Sequence, residues 1–114
     1  MLGKRIKWYC IAENRAELDA LFTVRNTVVQ KAAFGEFILV LHNNTFVAFK
    51  NKCPHQGKPL NGCTITDDHV VCPFHHYHFS LHDGRGHGLC LETYPIEFRT
   101  NKTVWIGVER WSLF

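Results

Sequence analysis

The sequence predicts an all-β framework with one short helix and a loop-rich insertion, and three observations carry that expectation. From Thr27 onward apolar and polar residues alternate with a period of two, as in half-buried strands. Pairs of turn formers, Asn43-Asn44 and Asn101-Lys102, separate the alternating runs. Over residues 51–90 the periodicity lapses, and the segment holds Pro54, Gly57, Pro59, Gly62, Pro73, Gly84, Gly86 and Gly88. At 114 residues and 46 % hydrophobic side chains, the chain is expected to form one globular domain over 1–114, and its composition excludes disorder.

Residues 7–12, Lys-Trp-Tyr-Cys-Ile-Ala, are rich in strand formers and predict a first strand. Residues 14–22 predict a short helix with Asn14 as its N-cap and Leu18, Leu21 and Phe22 on one face. Strands follow over 28–33, 36–42 and 45–50, with a turn at Gly35 and a tight hairpin at Asn43-Asn44, since asparagine tolerates positive φ. After the insertion, residues 93–99 and 103–108 predict two closing strands. A structureless stretch as long as 51–90 is uncommon in a compact domain unless it has a function of its own.

Several function classes fall away on composition. The net charge of +3 is too mild to argue for nucleic acid, and no run of Lys or Arg exceeds two. No apolar run approaches the roughly 18 residues that cross a bilayer, so no membrane partner is expected. The start, Met1 to Trp8, carries charge without the apolar stretch of a signal peptide, which leads to the expectation of a cytoplasmic protein. Seven of the eight histidines lie between His55 and His87, among Cys53, Cys63, Cys72 and Cys90. Cysteine and histidine gathered in one segment of a chain without a secretory signal point to metal rather than to disulfides.

The spacing sharpens that reading. Cys53-Pro54-His55 is followed, sixteen residues on, by Cys72-Pro73-Phe74-His75, a C-x-H cluster and then a C-x-x-H cluster. Each offers one thiolate and one imidazole. Two thiolates can hold one iron of a [2Fe–2S] cluster while two neutral imidazoles hold the other. A Cys₂His₂ set also suits structural zinc, which leaves a zinc-stabilised binding module without redox role as an alternative. Zinc fingers, however, pair two cysteines and then two histidines.

Residues 53–62, Cys-Pro-His-Gln-Gly-Lys-Pro-Leu-Asn-Gly, and 72–81, Cys-Pro-Phe-His-His-Tyr-His-Phe-Ser-Leu, resemble the paired cluster-binding loops of Rieske iron–sulfur proteins. The likeness is to the soluble ferredoxins and the oxygenase domains of that family. It implies an antiparallel β sandwich with a cluster-binding subdomain at about 51–90, and one [2Fe–2S] cluster. It implies Cys53 and Cys72 as ligands of the inner iron and His55 and His75 as ligands of the outer, solvent-facing one. It further implies a one-electron carrier, an electron-transfer component with no catalytic residue of its own. Such a carrier runs between a flavin-containing ferredoxin reductase and a terminal oxygenase or another redox acceptor. A Rieske small subunit of a larger reductase, such as a nitrite reductase, is the alternative within the family, and copurification with a large partner distinguishes it.

The chain departs from the family pattern at several positions. The position after the second histidine ligand is usually Gly and is here His76, which makes His76 the rival of His75 as ligand. The cytochrome bc branch carries a disulfide between its loops, and those positions are Lys58 and Phe74 here. Its cluster-bonding Ser and Tyr are matched by Tyr77 and Phe79, which places this chain in the ferredoxin branch. Of the remaining cysteines, Cys10 is expected to be buried on its strand, and Cys63 and Cys90 to be structural. His69, His82 and His87 are expected on loop surfaces, and Lys50, Lys52 and Lys58 form a positive rim or a merely solvated face.

Overall fold

A computed structural model describes residues 3–23, 25–74 and 76–112. In chain order the elements begin with β1 (Gly3–Ala12), helix α1 (Arg15–Asp19) running into a 3₁₀ turn (Ala20–Phe22), β2 (Thr27–Ala32), β3 (Gly35–His42) and β4 (Thr45–Lys50). The insertion then contributes β5 (Thr64–Thr66), β6 (His69–Val71), β7 (His78–Ser80), β8 (Arg85–Gly86) and β9 (Leu89–Cys90). The chain closes with β10 (Thr93–Tyr94), β11 (Ile96–Phe98) and β12 (Val104–Ser112). All pairings are antiparallel, in sheets of order β1-β12-β11, β10-β4-β3-β2, β5-β6-β7 and β8-β9.

The expected helix is present but short. Asn14 stands in extended backbone and its side-chain oxygen accepts the Glu17 N–H at 2.9 Å, a normal N-cap. Leu18 is fully buried and Phe22 packs on Phe46 at 5.7 Å between ring centroids. Leu21 differs from expectation: it lies in the 3₁₀ turn and faces outward.

The larger two sheets form the sandwich. Phe37, Leu39, Phe46 and Ala48 of β3 and β4 meet Val104, Ile106 and Val108 of β12, with Leu18 of α1 and Tyr94 at the margin. On their other face, the same two strands offer Ile38, Val40 and Phe49 to Leu60, Val70, Phe79, Leu81 and Leu91 of the segment after β4. Strand β3 therefore buries both faces, as its unbroken Phe-Ile-Leu-Val run requires. Successive β3 side chains belong to different cores.

Two expectations are corrected here. Residues 93–99 are not one strand: Pro95 supplies no N–H to a ladder, and the chain changes sheet at that point. Tyr94 pairs with Ala48 in one sheet, Ile96 pairs with Ile106 in the other, and the Gly107 N–H bonds the Pro95 carbonyl at 2.9 Å. Nor is the insertion free of strands. Its five strands are two or three residues each, too short for a period to show in sequence.

Three hairpins share one turn geometry, with positive φ at two central residues. These are Asn43-Asn44 between β3 and β4, Asp67-Asp68 between β5 and β6, and His87-Gly88 between β8 and β9. Close packing then seats the last hairpin. A Cβ on Gly86 would overlap the carbonyl of His78, so β8 lies with its backbone directly on β7. Gly86→Ala is expected to lower stability by about 1–3 kcal/mol through overpacking, read as a reduced urea midpoint. An unchanged midpoint would mean that β8 is free to move off β7.

Candidate metal centre

Two six-residue loops, 53–58 and 72–77, form the site, and both are closed by the same pair of backbone hydrogen bonds. In the first, the Cys53 N–H donates to the Lys58 carbonyl and the Gly57 N–H to the Cys53 carbonyl, both at 2.7 Å. In the second, the Cys72 N–H donates to the Tyr77 carbonyl at 2.9 Å and the His76 N–H to the Cys72 carbonyl at 3.0 Å. Each cysteine is followed by a proline, whose fixed φ starts the turn. Each loop then needs a left-handed residue four positions on: Gly57 has φ +71 and His76 has φ +54. His76 thus stands at the second loop's counterpart of Gly57, which gives a backbone reason for the glycine expected there.

Different elements anchor the two loops. The second is the connection of the β6–β7 hairpin, so the Cys72–Tyr77 bond continues a ladder that pairs Val71 with His78. The first follows β4 and is tied down by Asn51. The Asn51 side chain accepts the Leu60 N–H at 2.6 Å and donates to Asn61 Oδ1 at 2.6 Å and to Glu36 Oε1 at 3.2 Å. Across the gap, the Lys58 ammonium lies 4.7 Å from the Phe74 ring centroid and joins the loops by a cation–π contact.

The loops bring the two predicted cysteines together. Cys53 and Cys72 are both buried in one core, with their thiols close enough to influence each other. Burial pushes the Cys53 thiol above its ordinary pKa and the neighbouring Cys72 adds to this, while the backbone N–H groups of His55 and Gln56 act the other way. Two adjacent buried thiols, one facing amide N–H groups that favour its thiolate, are a donor set that a bound cation would stabilise. The site therefore fits a thiolate-bound metal. His55 is half buried, and its ring stacks on Tyr77 at 4.2 Å with 26° between planes. His75, the fourth expected ligand, lies outside the described residues.

The other singled-out residues sit around this centre. Cys63 belongs to the same core, and burial, with Cys72 adding, pushes its thiol up to about 11 despite its own backbone N–H. Cys10 is exposed, contrary to expectation: it alternates with Tyr9 and Ile11, which pack on the sandwich core, so its side chain leaves the opposite face of the sheet. Cys90 is also exposed, with its thiol donating to the Asp83 and Leu91 carbonyls. His82 and His87 lie on the surface as expected, whereas His69 is on β6 and donates through Nδ1 to the Asp67 carbonyl at 2.6 Å. Lys50, Lys52 and Lys58 are all exposed. The ring contacts of Tyr77, the Asn51 tie and the Lys58–Phe74 contact were not legible in sequence, since each joins residues that only folding makes neighbours.

An all-antiparallel sandwich with two matched cysteine loops on one face defines a small metal-binding β protein. The family model described as the Rieske [2Fe-2S] domain matches residues 7–94, and the chain belongs to that family, whose members carry a Rieske-type [2Fe–2S] cluster. The ferredoxin component of the alkene monooxygenase system of Xanthobacter autotrophicus is 35 % identical over 78 residues. That match takes in 65 % of this chain and 63 % of the relative's length. Among solved structures, the complex of oxygenase and ferredoxin in carbazole 1,9a-dioxygenase holds a chain that superposes with a TM-score of 0.67 and 16 % identity. Coverage there is 87 % of this chain and 91 % of that one. A putative nitrite reductase small subunit from Mycobacterium tuberculosis gives 0.66 at 16 % identity, over 93 % and 96 % of the two chains. Likeness at that identity bears on fold.

The thiols should differ sharply in reactivity. With Cys63 at about 11, only about one thiol in a thousand is thiolate at pH 8. Native protein treated with iodoacetamide at pH 8 should therefore be alkylated at Cys10 and Cys90 well before Cys63, as peptide mapping will read. Stability contributed by the neutral Cys63 thiol should be complete below about pH 9 and fade as pH rises to about 11. Early labelling of Cys63 would contradict its burial.

Proposed function

We propose that this chain is a one-electron carrier that holds its [2Fe–2S] cluster between loops 53–58 and 72–77. Cys53 and Cys72 bind one iron, and His55 and His75 the other. Residues 1–114 form one Rieske domain in this reading, with 51–90 as its cluster-binding part. The observation that carries it is the matched closure of the two loops, which brings the Cys53 and Cys72 thiols together in a buried wall. When bound, such a cluster supplies a centre that takes up and releases one electron at a time.

The chain's own residues provide the rest. Phe79, Leu60 and Val70, fully buried behind the cysteines, keep water from the thiolate side. Amide N–H groups of His55 and Gln56 stabilise negative charge at the Cys53 sulfur. The half-exposed His55 marks the side on which a partner approaches.

Donor and acceptor are a flavin-containing reductase and a terminal oxygenase or comparable redox protein. Support comes from the alkene monooxygenase relative, a ferredoxin component, and from the carbazole dioxygenase ferredoxin, solved together with an oxygenase. A cytoplasmic setting accords with this, and no helix among the described residues is long and apolar enough to cross a membrane.

Anaerobically purified protein should contain two irons and two acid-labile sulfides per chain. Cys53→Ala, Cys72→Ala, His55→Ala and His75→Ala should each lose the cluster. His76→Gly should keep it, because glycine suits the left-handed backbone that His76 occupies. Retention in His75→Ala together with loss in His76→Gly would move the ligand to His76, and one zinc with no iron would overturn the carrier reading.

The exposed lysines generate a second test. If Lys50, Lys52 and Lys58 steer an acidic partner, electron transfer should slow as salt rises, since the Debye length falls from about 10 Å at 0.1 M to about 3 Å at 1 M. Replacing all three with Gln should lower the association rate and flatten the salt dependence in stopped-flow measurements. An unchanged rate would make these lysines a solvated face.

A further inference from the structure

The β8–β9 hairpin turns on a histidine where its two counterparts use asparagine and aspartate. Of the three two-residue turns with positive φ at both centres, two use Asn-Asn and Asp-Asp, the residues that tolerate this backbone best. The third is His87-Gly88, with φ +54 at the histidine. Asn-Gly is the favoured pair for such a turn; histidine tolerates this backbone, but the turn gives no particular reason for an imidazole at position 87.

The side chain gives one. The His87 ring stacks on Tyr77 at 4.5 Å between centroids and 28° between planes, and among the described residues Tyr77 also stacks on His55. Three rings thus run in series, His55–Tyr77–His87, from the metal centre to an exposed hairpin tip. The His87 ring is itself held in place: its Nε2 accepts the His78 N–H at 3.1 Å, which puts the neutral ring's proton on Nδ1, and it stands T-shaped to Phe79 at 6.3 Å between centroids. The backbone that carries it is pinned on β7 at Gly86.

We infer that His87 is a positioning residue for the metal centre: through Tyr77 it fixes the plane of the His55 imidazole. This rests on the reading of His55 as a cluster ligand. A stacked ring pair contributes stabilisation beyond its buried area. Freeing one end of the series should therefore loosen the His55 ring without abolishing the site. His87 reaches the centre only through another ring and is not itself a ligand.

The test uses two variants of the full chain with the cluster bound. His87→Asn removes the ring and gives the turn its preferred residue, so the hairpin is retained. His87→Phe keeps a ring on Tyr77 but loses the hydrogen bond to the His78 N–H and adds strain to the left-handed turn. The readouts are the histidine-nitrogen hyperfine couplings of the reduced cluster and the rate of iron loss to a chelator. His87→Asn should alter the His55 coupling and speed iron loss about two- to tenfold at an unchanged starting content of two irons. His87→Phe should match the parent chain in both.

A parent-like coupling and loss rate in His87→Asn would overturn the inference. So would equal changes in both variants, which would assign the effect to the hydrogen bond or the turn rather than the stack. Absence of a [2Fe–2S] cluster from the parent chain would strike the proposed function first, and iron and sulfide analysis of that chain reads this separately.

Discussion

Strand β3 is the constraint on which the structure depends. Its four consecutive residues Phe37 to Val40 are all buried, Phe37 and Leu39 in the sandwich core and Ile38 and Val40 in the core beneath the metal centre. Because strand side chains alternate, a one-residue slip against β4 would exchange the two sets. The Asn43-Asn44 turn and the Ile38–Phe49 and Leu39–Ala48 pairings hold the register. Phe49, facing the second core with Ile38, stands one residue before β4 ends at Lys50, close ahead of Cys53, so the sheet sets where the first loop begins.

From that base the metal centre is built as two versions of one loop. A cysteine with its N–H and carbonyl both used to close a six-residue turn is held rigidly, and two such cysteines are brought together by shared burial. The loops differ in what supports them: a β hairpin for Cys72, and the Asn51 side chain for Cys53. They also differ at the left-handed position, where Gly57 is matched by His76. The hydrogen-bond pattern survives that exchange, because histidine is among the residues that reach positive φ at tolerable cost.

Contacts at the rim replace covalent closure. Lys58 over Phe74 spans the loops where the cytochrome bc branch of the family has cysteines, and the aromatic series through Tyr77 braces the His55 side. Cation–π and stacking contacts at exposed positions are each worth about 1 kcal/mol, far less than a disulfide. The loops' geometry thus leans on the backbone bonds and the core behind them.

The sequence by itself determined the framework and pointed to the family. Period-two alternation from Thr27, the Asn14 cap and the Asn43-Asn44 turn are local properties, and the structure repeats them. The spacing of Cys53, His55, Cys72 and His75 was legible because metal chemistry requires particular residue types at short intervals, and it led to the family to which the chain belongs. Tertiary structure decided the rest. Pro95 reads as an interruption within one strand, but only the packing of two sheets shows that the chain crosses between them there. The five strands of 51–90 are too short to carry a period and exist because each finds a partner. Cys10 faces solvent because the core takes its neighbours Tyr9 and Ile11 on the other face of the strand, and Tyr77 and His87, ten residues apart, meet because Gly86 lets β8 lie directly on β7. A linear pattern records the conformational preferences of neighbours along the chain; which side chains meet across it is set by burial and close packing of the whole.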